Sequence, residues 1–223
     1  EQNQGAILHR YMLGVYDFLE RLHERYPALL IEGCSGGGGR FDAGMLYYTP
    51  QIWCSDNTDA IERVKIQYGT SFAYPSCTVG SHVSAVPNHQ TGRTTELATR
   101  AAVAMAGSFG YELDLNLLTE EEKEQVRAQI KNYHRFEMLI RQGRYYRLTD
   151  VWQKKEYAAW EYCRPDGSEA LVTVVTLDTQ CNPATEYVKL RGLGEDKKYR
   201  VEVVGMQTGG ENGQRINGTP NSV

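Results

Sequence analysis

The chain has 223 residues, of which 41% are hydrophobic and 23% charged, as in globular proteins with a substantial core. Its formal net charge of −4 leaves no basic footprint, so the composition predicts no nucleic-acid partner and no attraction to an anionic membrane. Five cysteines without a CxxC spacing argue against a disulfide framework and a zinc ribbon. No apolar run is long enough to cross a bilayer, and no segment has the pattern of a signal peptide.

Helical and strand-like segments alternate over the first 143 residues. Pro27 separates the first helix from the first strand, Thr58 is the predicted N-cap of the second helix, and Thr119 with Glu122 forms a capping box. The predicted elements are a helix at 5–24, strands at 28–31 and 51–53, a helix at 58–68, a strand within 71–84, a helix at 94–106, a strand at 111–115 and a long helix that Gly143 ends. Such alternation is typical of a parallel sheet or barrel.

Beyond residue 144 the pattern changes to short strand-like runs separated by Pro-Asp-Gly, Asn-Pro and Gly-Glu-Asp turns. The predicted strands are 145–148, 158–162, 170–177, 186–190 and 199–204. This spacing predicts an antiparallel β-domain of the sandwich type, followed by an irregular, glycine-rich tail from Gln207. The sequence therefore divides into a first domain, 1–143, and a second domain, 144–223.

Two polar loops follow the first two predicted strands. Residues 32–42 read Glu-Gly-Cys-Ser-Gly-Gly-Gly-Gly-Arg-Phe-Asp, and residues 53–59 read Trp-Cys-Ser-Asp-Asn-Thr-Asp. The ends of parallel strands hold the functional sites of α/β proteins, because the strand fixes the backbone while the loop shapes a pocket. Glycines let backbone approach a ligand closely, and the aspartates offer carboxylates beside it. The two loops are therefore the candidate site.

Each motif also has a structural interpretation. A glycine run can bind phosphate, but no Lys-Ser/Thr follows this one, which argues against a P-loop and a nucleotide-binding protein. Asp56 and Asp59 could instead cap the helix that begins near residue 58. Arg40 and Asp42 are as well suited to a structural ion pair as to contact with a substrate.

The remaining candidates have similar alternatives. Cys34 could be a nucleophile, but no cysteine-protease signature surrounds it, which favours a role as a small pocket wall. His82 and His89 lack a convincing third ligand, so no metal site is predicted. Trp53 is either a core residue or a platform for a sugar ring, and its position at a strand end favours the pocket.

Taken together, these motifs indicate a family more specifically than any one of them does alone. The segment CSGGGGRFDAGMLYYTPQIWCSDNTDAIERVKIQYGTS resembles the retaining α-galactosidases of glycoside hydrolase family 36. The resemblance continues at 74–75, 80–84, 87–90, 93–95 and 110–114. It implies an α/β fold, the C-terminal half of a (β/α)8 (TIM) barrel followed by an antiparallel β-sandwich domain.

The resemblance also implies roles for individual residues. The aspartate of the Ser-Asp-Asn-Thr-Asp motif, Asp56, is the expected general acid/base. Cys34, Gly36 and Gly37 are expected to line the galactose subsite, and Trp53 to form a pocket wall. No metal or organic cofactor is implied.

One departure from the family pattern is serious. The family nucleophile is an aspartate in a Lys-Trp-Asp-Met-Asn-Arg-like segment on an earlier barrel strand, and this chain contains no such segment. We therefore expect the C-terminal part of an enzyme, inactive alone, that removes terminal α-galactose from raffinose- or melibiose-like oligosaccharides. The family further implies a cytoplasmic homotetramer. The alternatives are an α-N-acetylgalactosaminidase, a raffinose-synthase-like transglycosidase, and, from another class, a catalytically dead sugar-binding remnant.

Overall fold

A computed structural model describes residues 3–179, 181–182 and 185–204. Its elements are α1 (Gln4–Arg25), β1 (Glu32–Gly33), the short turn α2 (Ser35–Gly38), α3 (Ala43–Tyr48), β2 (Gln51–Ile52), α4 (Ala60–Thr70), β3 (Gly80–Ser84), α5 (Leu97–Ala104), β4 (Ser108–Glu112), α6 (Glu120–Gln142), β5 (Arg144–Arg147), β6 (Tyr157–Cys163) and β7 (Ala170–Thr176). None of the helices in the described ranges combines the length and apolar character that a bilayer crossing needs.

The first four strands run parallel and lie side by side. β1 pairs with β2, β3 pairs with β4, and a parallel bridge between Ile52 and Val79 joins the two pairs. Helices α4 and α5 connect β2 to β3 and β3 to β4, as the crossovers of a parallel sheet require. This alternation confirms the predicted half-barrel.

Two strand positions were predicted wrongly. Residues 28–31 are not a strand, and Leu30 is 86% exposed; β1 begins only at Glu32, where the parallel pairing with β2 starts. The strand predicted at 111–115 lies at 108–112, because the Asp114 side chain accepts a hydrogen bond from Asn116 N at 2.9 Å and starts a 3₁₀ turn. Pairing partners and side-chain caps set these limits, and apolar runs do not reveal them.

The helices agree more closely with the sequence. The capping box of Thr119 and Glu122 is present at the start of α6, and Gly143 follows its last residue. The N-cap of α4 is Asp59, whereas Thr58 was predicted, and the helix runs past Gly69 to Thr70. Aspartate is as good an N-cap as threonine, so the sequence pattern did not distinguish the two adjacent positions.

The second part contains an antiparallel sheet of order β5-β6-β7 among the described residues. It confirms three of the predicted strands and fits one layer of a sandwich. The strands predicted at 186–190 and 199–204 are wrong, since neither segment is paired in the described part of the chain. β6 already has a strand on each side, and just after the first segment Arg191 N and Gly192 N donate to the Glu161 carboxylate instead. The predicted tail from Gln207 lies outside the described residues.

The two parts share one hydrophobic core. Buried side chains of α4, α5 and α6 pack against Ala158, Trp160 and Tyr162 of β6. The Tyr162 hydroxyl donates to Ala106 O at 2.8 Å, at the end of the helix that follows β3. The antiparallel sheet therefore supports the helix layer behind the parallel strands.

Candidate active site

The two polar loops predicted as the site lie at the same edge of the parallel sheet. Cys34 directly follows β1, and Trp53 directly follows β2. Trp53 N donates to Gly33 O at 2.7 Å, which extends the pairing one residue beyond the strands. Since the strands are parallel, the carboxyl ends of both open onto one face.

The glycine loop has a left-handed backbone. The φ angles are 58° at Ser35, 67° at Gly36, 73° at Gly37 and 93° at Gly38, a region that favours glycine. A Cβ on Gly37 would lie 3.0 Å from Asp56 N, and one on Gly38 would lie 3.0 Å from the carbonyl oxygen of Cys54. The glycines are therefore needed both for the turn and for backbone contact with the loop that carries Asp56.

Asp56 lies exposed at the tip of the second loop. Its carboxylate makes no hydrogen bond or ion pair with another residue in the described ranges. The neighbouring residues are ordered by local contacts, since Asn57 N donates to Ser55 Oγ at 3.2 Å and Asp59 N donates to Asn57 Oδ1 at 3.1 Å. Asp56 is thus a carboxylate on an ordered loop whose oxygens accept no hydrogen bond from the part of the chain that the structure describes.

Asp59, three residues further on, is the opposite case. It is 2% exposed and accepts from Ile61 N at 2.8 Å, from Thr91 Oγ1 at 2.5 Å and from Arg93 Nη1 at 2.6 Å. Burial raises the pKa of the Asp59 carboxyl, but the hydrogen bonds from Thr91, Arg93 and the first turn of α4 outweigh burial and hold its pKa below the ordinary 3.8. Asp59 is therefore an ionised N-cap, as its structural alternative predicted, and is poorly suited to donate a proton.

The free energy of unfolding should depend on the ionisation of the Asp59 carboxylate. Asp59→Asn keeps the N-cap acceptor and removes the charge, so we expect a loss of about 1 kcal/mol near neutral pH. A carboxylate whose folded pKa is lowered stabilises the protein above its unfolded pKa, and the contribution disappears as the pH falls through the folded pKa. The free energy of unfolding, measured with urea at about pH 6 and about pH 3.5, should therefore differ less between wild type and variant at the lower pH. An equal difference at both values would contradict the ionised state of Asp59.

Trp53 is half-buried and lies between polar neighbours. Its ring stacks on His82 at a centroid distance of 4.7 Å, and the Arg63 guanidinium lies 4.9 Å from the ring centroid. Arg63 is 3% exposed and donates to the carbonyl oxygens of Gly80 at 2.5 Å and Ser55 at 3.2 Å, and burial lowers the pKa of its guanidinium. These contacts fix the plane of the Trp53 ring at the strand end.

His82 belongs to the barrel-interior face of β3. Ser81 donates to Gln67 of α4 and Val83 packs in the helix layer, so the alternation of side chains turns His82 to the other face. His82 Nδ1 lies 3.7 Å from the Glu112 carboxylate. No local pattern indicates this row of Trp53, His82 and Glu112, because the three residues come from the end of β2, from β3 and from β4.

The other candidate residues make contacts that stabilise the fold or lie exposed. Asp42 is the N-cap of α3 and accepts from the Tyr16 hydroxyl at 2.9 Å, which raises the pKa of Tyr16. Arg40 donates to the Tyr11 hydroxyl at 3.1 Å, so the ion pair between Arg40 and Asp42 considered from the sequence is not formed. Within the described part of the chain, no group of three His, Cys, Asp or Glu side chains is placed to hold a metal, and His89 lies exposed.

The predicted site residues do not all converge on one point. Gly37 lies against Asp56, and Trp53 is on the same loop as Asp56. Cys34 instead lines a groove of about 280 Å³ between α1, β1 and α3, together with apolar side chains of α1. Gly36 has open space where a side chain would be.

Comparison with known proteins identifies the family. The melibiase family model matches residues 1–143, and the model of the glycosyl hydrolase family 36 C-terminal domain matches residues 157–218. The bifunctional α-galactosidase/sucrose kinase AgaSK of Mediterraneibacter gnavus is 60% identical over 206 residues, which are 92% of this chain and 22% of that protein. The α-galactosidase AgaA of Geobacillus stearothermophilus is 49% identical over 210 residues, which are 94% of this chain and 29% of AgaA.

Solved structures agree with these relatives. The galactosidase domain of AgaSK matches with a TM-score of 0.82 and 63% identity, over 84% of this chain and 26% of that one. A variant of Geobacillus AgaA in complex with raffinose matches with a TM-score of 0.84 and 49% identity, over 87% of this chain and 27% of AgaA. The chain thus spans only about a quarter of the length of these proteins. Since the family model covers more than half of it, the chain belongs to the melibiase family.

Proposed function

We propose that the chain is the C-terminal part of a retaining α-galactosidase that removes terminal, non-reducing α-D-galactose from oligosaccharides such as raffinose and melibiose. The observation that carries the proposal is the Asp56 carboxylate in the loop after β2, which lies against the glycine loop after β1 and makes no hydrogen bond or ion pair with the described residues. The relatives named above are α-galactosidases, and AgaA has been crystallised with raffinose.

In this proposal Asp56 is the general acid/base. Retaining glycosidases use two carboxyl groups about 5–5.5 Å apart, one of which attacks the anomeric carbon while the other protonates the departing oxygen. The second group then removes a proton from water, which releases the sugar from the enzyme. Asp56 suits the second role because none of the described residues hydrogen-bonds to its oxygens, whereas Asp59 accepts four hydrogen bonds.

The other residues would bind the sugar. Gly36 and Gly37 would bring backbone close to the galactose ring, Cys34 would form a small wall, and Trp53 would present an aromatic face. The nucleophile would come from the segment that precedes these strands in the barrel. We further propose a cytoplasmic homotetramer with a domain boundary between residues 143 and 144, where α6 ends and β5 begins.

The full-length protein should hydrolyse p-nitrophenyl α-galactoside and should be nearly inactive on the corresponding N-acetylgalactosaminide. Side-by-side rates on these two substrates separate an α-galactosidase from an α-N-acetylgalactosaminidase. Galactosyl transfer to sucrose exceeding hydrolysis would favour the transglycosidase. No activity on any α-glycoside, with sugar binding retained, would replace the proposal with a catalytically dead remnant.

The 223-residue chain alone is expected to release no galactose. It holds the proposed acid/base but no aspartate in the sequence context of the family nucleophile, and both carboxyl groups are needed for the two-step reaction. The measurement is p-nitrophenol release by the isolated chain at high enzyme concentration, with the full-length protein as the positive control. Turnover by the isolated chain would mean that a carboxylate within it acts as the nucleophile.

A further inference from the structure

The loop of residues 55–59, called the acid/base loop below, is held by side chains from outside it. Arg63 Nη1 donates to the carbonyl oxygen of Ser55 at 3.2 Å. Asn88 Nδ2, from the loop between β3 and α5, donates to Thr58 Oγ1 at 3.0 Å, and Asn88 is 4% exposed. Side-chain hydrogen bonds therefore hold both ends of the acid/base loop, whereas Asp56 at its tip receives none from the described residues.

The strongest of these attachments is at Asp59. One carboxylate oxygen accepts from Arg93 Nη1 at 2.6 Å as well as from the first turn of α4, and the other accepts from Thr91 Oγ1 at 2.5 Å. Arg93 Nη1 also lies 3.6 Å from the Glu62 carboxylate. Thr91 and Arg93 thus connect the β3–α5 loop to the end of the acid/base loop through a buried carboxylate.

Hydrogen bonds within the β3–α5 loop fix its own conformation. Asn88 Oδ1 accepts from Gln90 N and Thr91 N, both at 3.0 Å, and Asn88 N donates to Arg93 O at 2.9 Å. These bonds close the loop on itself and place the Thr91 hydroxyl towards Asp59. The side chains of Asn88, Thr91 and Arg93 contact the acid/base loop, and none of these contacts involves Asp56.

We infer that Thr91 and Arg93 are positioning residues for Asp56, an inference that rests on the proposed function and adds to it. The Asp56 carboxylate makes no hydrogen bond or ion pair with the described residues, so its direction depends on the backbone of the acid/base loop and on the packing of that loop against Gly37. A displacement of about 1 Å in a reacting group can cost about 10²-fold in rate. Thr91 and Arg93 therefore act on proton transfer to the leaving group, through Asp59 and the loop, without touching the substrate.

The test compares Thr91→Val and Arg93→Gln with wild type in the full-length protein. On melibiose, whose leaving group needs protonation, we expect kcat to fall by about 10- to 100-fold with KM nearly unchanged. With an aryl galactoside that has a good leaving group, the rate of the first step should change by less than about threefold. Thr91→Ser, which restores the hydroxyl, should recover most of the activity on melibiose.

The controls separate positioning from folding. Arg127→Gln makes the same change at an exposed ion pair with Glu124 on α6 and should leave both rates unaltered. Thr91→Val is nearly isosteric and retains Arg93, so it keeps the test valid if Arg93→Gln destabilises the protein. Equal losses on both substrates, or a lower melting temperature with unchanged kcat, would overturn the inference. Wild-type inactivity on every α-galactoside would instead refute the proposed function. If Asp56→Ala lost more rate on melibiose than on the aryl galactoside, while Thr91→Val showed no such difference, the positioning role alone would be refuted.

Discussion

Asp56→Ala is expected to lower kcat on melibiose by about 10²–10⁴-fold, the usual contribution of general acid–base catalysis. The first step on an activated aryl α-galactoside should be far less affected, because a good leaving group departs with little help from an acid. The second step should then limit turnover, since no base remains to activate water. The side chain is exposed and makes no hydrogen bond or ion pair with the described residues, so the melting temperature should stay close to that of wild type.

The comparison requires pre-steady-state and steady-state rates on both substrates for wild type, Asp56→Ala and Asp59→Asn. Asp59→Asn changes the other aspartate of the same loop and should lower stability, whereas Asp56→Ala should not. Because Asp59 acts on proton transfer only through the loop, its leaving-group effect should be smaller than that of Asp56→Ala. Equal losses on melibiose and on the aryl substrate would assign Asp56 to binding and the proton donor to another group.

Gly37→Ala should disturb the contact between the glycine loop and the acid/base loop directly. An L-residue at a φ of 73° costs about 1–2 kcal/mol, and the new Cβ would lie 3.0 Å from Asp56 N. The acid/base loop must then shift by a few tenths of an ångström, so kcat on melibiose should fall by about tenfold. Because the moved group is the proton donor, the loss should again be larger for melibiose than for an aryl galactoside.

Gly36→Ala provides the control for backbone strain. Gly36 has a φ of 67°, but nothing lies within 4 Å of the added Cβ. The melting temperature of Gly36→Ala should fall about as much as that of Gly37→Ala. Any loss of rate in Gly36→Ala should be the same on melibiose and on the aryl galactoside. If Gly36→Ala and Gly37→Ala gave identical kinetic profiles, contact between the glycine loop and Asp56 would not matter for catalysis.

Local signals explain why the helices were predicted well. The capping box at Thr119 and Glu122 and the glycine after α6 act within a few residues, so the sequence contains the whole interaction. Strand limits depend on partners distant in sequence. The apolar run at 28–31 therefore predicts a strand, although pairing with β2 begins only at Glu32. Glu161, which binds the backbone of Gly192, likewise has no local signature.

The candidate site was predictable only in part. Its two loops were found because glycines and aspartates follow predicted strands, and the resemblance to a family supplied the role of Asp56. Among the residues that order the site, Arg93 and His82 lie within the segments that resemble the family, whereas Thr91 does not, and the resemblance implies no role for any of them. Their contacts join the loops and strands after β2 and β3, and a linear pattern does not show which side chain reaches across.

The most direct test of the central claim is to identify the product that Asp56→Ala forms from an aryl α-galactoside in the presence of azide. Azide needs no deprotonation, so it can attack the galactosyl-enzyme from the side that Asp56 has left open. We predict faster turnover and the accumulation of α-galactosyl azide, with retained configuration, visible by NMR. Turnover that azide does not accelerate, with galactose as the only sugar product, would contradict the assignment of Asp56 as the acid/base.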